Sequence, residues 1–146
     1  MPKRNRKKSD FDRDAKAPQW YWKRGLHDAC ITQVERFDFP YDYGEYTGAK
    51  NKNDRNLMRL KIDAEGALFD REVTEIRLFN YEIVTPHIHL EGREAVWWLS
   101  DSLTACDKGY LLEIDLQDLH GDPSDFVFKI KFERAEVDRN NDWKRQ

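Results

Sequence analysis

Residues 110–134 decide the fold, and they read YLLEIDLQDLHGDPSDFVFKIKFER. Apolar residues such as Leu112 and Ile114 alternate with mostly polar neighbours in the first half, and Phe128 and Ile130 do so in the second. Alternation with a period of two predicts strands that bury one face and leave the other in water. The Asp, Gly and Pro residues between the halves favour a chain reversal. The sequence therefore predicts an antiparallel hairpin whose apolar face the rest of the chain must cover.

Further strand patterns precede this hairpin. Residues 57–63 alternate Met58, Leu60 and Ile62 with charged side chains, and residues 73–84 are rich in β-branched and aromatic types. The pattern predicts about six antiparallel strands in meander order. We therefore expect a mainly β fold, in which the sheet curls into a barrel or packs as a sandwich.

Two segments leave alternatives open. The pattern in residues 29–39 slips in phase, which predicts a bulge within 33–36 that brings Val34 and Phe37 to one face. A short helix over residues 91–107 would make the fold α+β, whereas a strand over 93–99 would point Trp97 and Trp98 to opposite faces and expose one of them.

The length of 146 residues suits a single domain, and an aromatic content of 13% is not that of a disordered chain. We predict a flexible basic arm over residues 1–19, a β-rich globular domain over 20–136 and a frayed tail over 137–146. Cys30 and Cys106 lack metal or redox spacing, and no apolar run is typical of a secretory signal or a membrane span. We therefore expect a cytoplasmic protein with reduced thiols and no membrane partner.

The charge is distributed unevenly along the chain. Residues 1–8 hold five basic side chains and no acid, so the net charge of −3 for the whole chain leaves −8 for residues 9–146. An acidic body of this kind is expected to steer the protein towards a cationic surface.

A long connection over residues 40–56 carries Tyr41, Tyr43 and Tyr46 and exceeds the usual length of such connections. Tyrosine and tryptophan are enriched at protein interfaces, so these tyrosines and the Trp97–Trp98 pair predict a site for a protein partner. The alternative is that these aromatic side chains close the ends of the sheet.

The basic arm suggests a second function. Basic side chains bind phosphates and aromatic rings stack on bases, which predicts a single-stranded nucleic-acid site as the alternative to protein binding. The residues of this alternative site are Lys3, Arg4, Arg6, Lys7, Lys8, Trp20 and Trp22.

The histidines suggest a third function. His87 and His89 share one side of an extended backbone, and His27 with Asp28 would complete a set of metal ligands for a metal-dependent enzyme if all four converged. The alternative is that they make local hydrogen bonds, with Asp28 capping a turn and His27 closing a contact at the end of the sheet. No nucleophile, metalloprotease, phosphate-loop or dinucleotide motif is present, and we predict no cofactor.

His27, Asp28 and Ala29 precede the first strand, and residues 27–39 resemble an element of uncharacterised bacterial sheet domains that include toxin-immunity proteins. The resemblance implies an immunity or antitoxin-like role. Together with the aromatic loop, it leads us to expect a binding protein without catalytic turnover.

Overall fold

A computed structural model of the chain describes residues 18, 20–22, 26–39, 46, 53–67, 71–85, 96–118 and 125–140. These residues contain eight strands, all paired antiparallel, and no helix, which confirms the mainly β prediction. The strands are β1 Cys30–Asp38, β2 Asn56–Asp63, β3 Val73–Phe79, β4 Glu82–Ile83, β5 Val96–Cys106, β6 Gly109–Asp118, β7 Asp125–Phe132 and β8 Arg134–Arg139. The described residues accordingly include no helix long and apolar enough to cross a bilayer.

All eight strands belong to one sheet with the order β4-β7-β6-β5-β1-β2-β3-β8. It consists of two meanders, β1-β2-β3 and β5-β6-β7, in which consecutive strands pair as predicted. Among the described residues, the meanders meet where β1 pairs with β5 through two residue pairs, Cys30 with Trp97 and Ile31 with Val96. Trp97 therefore lies at the seam between the meanders.

The two ends of the sheet are tied together by the chain, although the sheet is not closed into a barrel. Strand β4 follows β3 after two residues, and β8 follows β7 after Glu133. Phe79 pairs with Arg134 at one end of the sheet, and Glu82 pairs with Lys131 at the other end. The two pairs keep one register, so the segment that contains β3 and β4 pairs with the segment that contains β7 and β8 at both ends. The sheet is thereby curled around its inner face.

The core lies on that inner face. It contains the alternating apolar residues of the β6–β7 hairpin, as the sequence predicts, and the observed register pairs Leu112 with Ile130 and Ile114 with Phe128. The inward residues of β2 are also buried as predicted, namely Met58, Leu60 and Ile62. One apolar cluster therefore receives side chains from both meanders.

The bulge in β1 lies elsewhere than predicted. It falls between Ile31 and Gln33, so Ile31 and Val34 point into the core. Phe37 belongs to a second apolar cluster, which corrects the prediction that Val34 and Phe37 share a face.

Two boundaries differ from those predicted. Residues 96–106 form β5, so the helix over 91–107 is wrong for that part, while residues 91–95 lie outside the described residues. Val137, Asp138 and Arg139 belong to β8 and pair with β3, which corrects the predicted start of the frayed tail; residues 141–146 lie outside the described residues. Both strands carry several polar residues, such as Ser100 and Asp101 in β5 and Glu136 and Asp138 in β8, and this hides the alternation.

Candidate interaction surface

Tyr46 does not lie on a free surface. Only 3% of it is exposed, and it packs on the outer face of the sheet with Phe37 and Phe39, at ring-centroid distances of 5.2 and 5.9 Å. Burial raises the pKa of its hydroxyl group. This corrects its assignment to a partner site and fits the alternative that loop aromatics cover the sheet. Tyr41 and Tyr43 lie outside the described residues.

Trp97 and Trp98 point to opposite faces of β5, as a strand requires. Trp98 is fully buried in the core, whereas Trp97 is 42% exposed on the outer face. The prediction that one of the two indoles is exposed is confirmed, and Trp98 is removed from the partner site.

Trp98 is held by a carboxylate that the sequence analysis did not single out. The Asp101 side chain accepts hydrogen bonds from the indole N–H groups of Trp98 and Trp22 and from the Tyr21 hydroxyl, each at 2.8 Å. A register shift between Trp98 and Ser100 allows the Asp101 side chain to reach these buried aromatic donors. The bonds from Tyr21 and Trp22 fasten the segment before β1 to β5.

The stacking platform proposed for nucleic acid is part of this buried cluster. Trp22 is fully buried, and Trp20 packs edge-on against neighbouring rings, with its centroid 5.5 Å from that of Tyr110 and 5.8 Å from that of Phe132. Its partly buried ring and the buried Trp22 ring serve the core, which corrects their assignment as base-stacking surfaces. The five basic residues of the arm lie outside the described residues.

His27 and Asp28 shape the entry into β1. His27 Nδ1 lies 2.7 Å from the Leu99 carbonyl oxygen, and its Nε2 lies 3.8 Å from an Asp28 carboxylate oxygen. Asp28 adopts a left-handed conformation with φ of 77°, and its N–H donates to the Trp98 carbonyl oxygen at 2.9 Å. These contacts agree with the alternative in which His27 and Asp28 make local hydrogen bonds. His87 and His89 lie outside the described residues, within which no group of three metal-ligating side chains converges.

The outer face of β1, β2, β3 and β8 is dominated by ion pairs. Arg77 is their centre, because it donates to Asp138 through two nitrogens at 2.9 Å and also to Glu75 and Glu136. Arg59 is similarly paired with Glu35. These charged side chains pair with one another, and Tyr46 covers the apolar cluster. This half of the outer face is therefore the less suitable half for binding a partner.

The Arg77–Asp138 pair gives a pH-dependent contribution to stability. The hydrogen bond from Arg77 lowers the pKa of the Asp138 carboxyl group, although burial acts in the opposite sense. Because the folded-state pKa is below the unfolded one, the stabilisation is present at neutral pH, starts to fall at the ordinary aspartate pKa and is lost as the pH falls through the lowered folded-state pKa. We expect Asp138→Asn to lower the free energy of unfolding by less than about 1 kcal/mol at pH 7, since the pair is partly exposed. Urea unfolding of both proteins at several pH values measures this, and a difference that stays constant down to pH 2 would contradict it.

The other half of the outer face is different. Among the described residues, the large apolar side chains with the highest exposure are Val84 at 44%, Trp97 at 42% and Val127 at 37%. All three point outward from the β4-β7-β6-β5 half of the sheet, because each alternates with an inward core residue such as Ile83, Val96 or Phe128. We call the outward side chains of Val84, Trp97, Ser100, Asp115, Gln117 and Val127 the Trp97 surface.

The Trp97 surface extends across four neighbouring strands. Val84 is anchored beside β7 by its N–H, which donates to the Lys129 carbonyl oxygen at 2.9 Å. Asp115 pairs with Val127 on one side and Ser100 on the other, and Trp97 pairs with Gln117. Three strand spacings separate β4 from β5, or about 14 Å. This places apolar side chains among polar ones on a surface that no described segment covers.

Cys30 lies directly beside Trp97 at the seam between the meanders. Burial, followed by the negative charge of Asp63, raises the pKa of the Cys30 thiol, while a hydrogen bond with the Trp97 side chain acts in the opposite sense and Asp28 adds to the rise. The raised pKa keeps this thiol protonated at neutral pH and makes it a poor nucleophile. Cys30 therefore gives no indication of thiol chemistry at this seam.

The sequence analysis did not single out Val84 or Val127 as parts of a site. Each is an ordinary apolar residue at an outward strand position, and isolated residues of that kind are common on protein surfaces. Only the pairing of β4 with β7, which lie far apart in sequence, places the two valines on the same half of the sheet as Trp97.

Comparison with known proteins finds no family model, no curated protein and no solved structure that matches the chain. The resemblance of residues 27–39 to immunity-type domains thus stays a prediction.

Proposed function

We propose that this chain is a binding protein without catalytic turnover and that it docks a protein partner on the Trp97 surface. The observation that carries the proposal is the concentration of Val84, Trp97 and Val127, the most exposed large apolar side chains of the described residues, on one half of the outer face. Tyr41 and Tyr43, which lie outside the described residues, stay proposed as partner-binding residues, as the sequence analysis expects. An immunity or antitoxin-like role fits a protein of this kind.

The composition of the Trp97 surface supports this proposal. An exposed indole offers a large contact area with few rotatable bonds, and tryptophan is enriched among residues that dominate binding energy. Polar side chains such as Ser100 and Gln117 surround it, and interfaces commonly have a polar rim around an apolar centre. By contrast, the ion-paired half of the sheet satisfies its charges internally.

Replacement of Trp97 tests the proposal. We expect Trp97→Ala to weaken capture of the partner at least tenfold, or about 1.4 kcal/mol, because truncation of a central aromatic residue removes a large buried contact. The measurement is quantitative affinity capture from cell extract, followed by titration of the captured protein in purified form. Cooperative unfolding and an unchanged far-ultraviolet circular dichroism spectrum would show that the variant is folded.

Asp138→Asn provides the matched control, because Asp138 is an exposed residue on β8, four strands away from β5 in the sheet. A photo-crosslinking amino acid placed at position 97 should attach to the partner, while the same group at position 138 should not. Equal crosslinking at both positions, or equal capture by Trp97→Ala and Asp138→Asn, would reject the Trp97 surface as the docking site.

A further inference from the structure

The sheet bends at one corner, where β3 continues into β4 and β7 continues into β8. Asn80 and Tyr81 separate β3 from β4, and Glu133 stands opposite them between β7 and β8. Asn80 has a φ of 59°, in the left-handed region, which asparagine adopts more readily than most residues because its short side chain can form local hydrogen bonds. This residue turns the chain towards β4, which carries Val84 to the Trp97 surface.

The buried Asn80 side chain joins the segments that meet at this corner. Its Oδ1 accepts a hydrogen bond from the Arg55 N–H at 2.6 Å, and its Nδ2 donates to a Glu133 carboxylate oxygen at 3.1 Å. The Asn80 N–H donates to the Asn56 carbonyl oxygen at 2.9 Å. One residue thereby binds both the beginning of β2 and the joint between β7 and β8.

Asn56 extends the pairing of β2 beyond the end of its ladder with β3. That ladder ends with the pair of Leu57 and Phe79. The Asn56 side chain then accepts from the Tyr81 N–H at 2.8 Å and donates to the Tyr81 carbonyl oxygen at 3.2 Å. Both backbone groups of the residue before β4 are therefore bound by one side-chain amide, in the way that a neighbouring strand would bind them.

A largely buried ion pair closes the corner from the side of β8. The Asp54 side chain, only 3% exposed, accepts a hydrogen bond from Arg134 Nη1 at 2.6 Å, and its carboxylate also lies 3.5 Å from Asn80 Nδ2. The Arg134 guanidinium group lies over the Phe79 ring, 3.8 Å from the ring centroid. Buried ion pairs can specify one arrangement of a chain more than they stabilise it. We call Asp54, Asn56, Asn80 and Arg134 the Asn80 corner.

Strand β4 has few hydrogen bonds of its own. It consists of Glu82 and Ile83, lies at the end of the sheet and pairs with β7 alone among the described strands. After it, the N–H groups of Val84 and Thr85 both donate to the Lys129 carbonyl oxygen, at 2.9 and 3.3 Å. A segment with so few bonds belongs to the part of a protein that opens locally. Its position therefore depends on the residues that anchor the chain before it.

We infer that the Asn80 corner is a conformational device that holds β4 against β7 and thereby places Val84 on the Trp97 surface. Asn80 and Asn56 bind the chain directly before β4, so they fix the direction in which it leaves β3. The consequence for binding rests on the proposed function, because Val84 is one of the three exposed apolar residues of that surface. The positioning of β4 itself does not depend on a partner.

Asn80→Gly tests the inference, because glycine adopts the left-handed conformation without steric cost but lacks the amide. Native-state hydrogen exchange of the ¹⁵N-labelled full-length protein, followed by NMR, measures opening at individual N–H groups. We expect the N–H groups of Val84 and Thr85 to exchange about tenfold faster or more, since their segment loses its anchor. The N–H group of Asn140, which donates to the Glu72 carbonyl oxygen at the far end of the β3–β8 ladder, should change less than about twofold.

Two further variants make the result specific. Asn56→Ala removes the bonds to Tyr81 but leaves Asn80 in place, and it should accelerate exchange of the same two N–H groups even if Asn80→Gly does not fold. Asp28→Gly is the matched control, because Asp28 is the other non-glycine residue with a left-handed φ among the described residues and lies at the entry into β1. It should leave exchange after β4 unchanged.

Equal acceleration at Val84, Thr85 and Asn140 would indicate general destabilisation and would overturn the inference, as would unchanged exchange in both corner variants. These outcomes are independent of the proposed function, which is rejected by absence of crosslinking at position 97. With the partner of the proposed function, crosslinking from position 84 should fall relative to that from position 97 in Asn80→Gly. An unchanged ratio would show that the corner does not place Val84 for binding.

Discussion

Gly109→Ala is expected to lower the free energy of unfolding by about 3 kcal/mol or more. A Cβ atom at this position would overlap the carbonyl oxygen of Phe132 and would lie 2.7 Å from the Cα atom of Glu133. Both obstacles are backbone atoms of the segment that connects β7 with β8, so no side-chain rotation relieves them. Urea unfolding followed by circular dichroism measures the loss.

Gly66→Ala is the matched control for this prediction. A Cβ atom at position 66 would meet the Asp28 carbonyl oxygen at 3.6 Å, an ordinary van der Waals distance. We expect its free energy of unfolding to lie within about 1 kcal/mol of the wild-type value, because a glycine whose conformation alanine can adopt is replaced at little cost. Equal effects of the two substitutions would contradict the close approach of β6 to the connection between β7 and β8.

Asp101→Ala is expected to be comparably destabilising, by about 3 kcal/mol or more. The substitution removes the acceptor of Tyr21, Trp22 and Trp98 at once, and buried donors left without a partner cost about 1–3 kcal/mol each. The indole N–H groups of Trp22 and Trp98 should then exchange with solvent faster. Chemical unfolding and hydrogen exchange of the indole protons measure the two effects.

Asp101→Asn separates the hydrogen bonds from the charge. One carboxylate oxygen accepts from both indoles, and the amide oxygen can occupy its place. The amide nitrogen would then donate to the Tyr21 hydroxyl, which can act as an acceptor. We expect a loss of about 1 kcal/mol and retained protection of both indole protons. An alanine variant as stable as the asparagine variant would show that these bonds contribute little.

These two sites affect different parts of the proposed function. Gly109 lies at the end of the β5–β6 hairpin, far along the strands from Trp97. Asp101 lies four residues after Trp97 on the same strand and fastens the neighbouring Trp98, so its loss would also disturb the support of the Trp97 surface. Binding experiments should therefore use surface substitutions and not substitutions at these structural positions.

Trp97 and Trp98 show what the alternation of side chains along a strand can predict and what it cannot. A strand through Trp97 and Trp98 requires one indole on each face, which the sequence alone predicts. The choice between them depends on which neighbours supply a core, and here Trp98 contacts Trp22 at a ring-centroid distance of 5.3 Å while Trp97 faces outward. The role of Asp101 is hidden in a polar run, because two of its three donors, Tyr21 and Trp22, come from a distant segment of the chain.

Tyr46, on the long connection over residues 40–56, has a position that the sequence pattern could not predict. Tyr46 has the side-chain type and the sequence context of an interface residue, yet it is buried against Phe37 and Phe39. Composition cannot distinguish an aromatic side chain that binds a partner protein from one that packs against its own chain. The outward apolar residues of β1 to β3 supply that surface.

The sequence by itself determined the period-two strands, the inward residues of the β6–β7 hairpin and of β2, and the opposition of Trp97 and Trp98, because side-chain direction in a strand is a local property of the backbone. Only the tertiary structure decided the seam between β1 and β5, the burial of Tyr46 and the aromatic donors around Asp101. These depend on pairings between residues far apart in the chain, whose free energy comes from contacts that no local pattern contains.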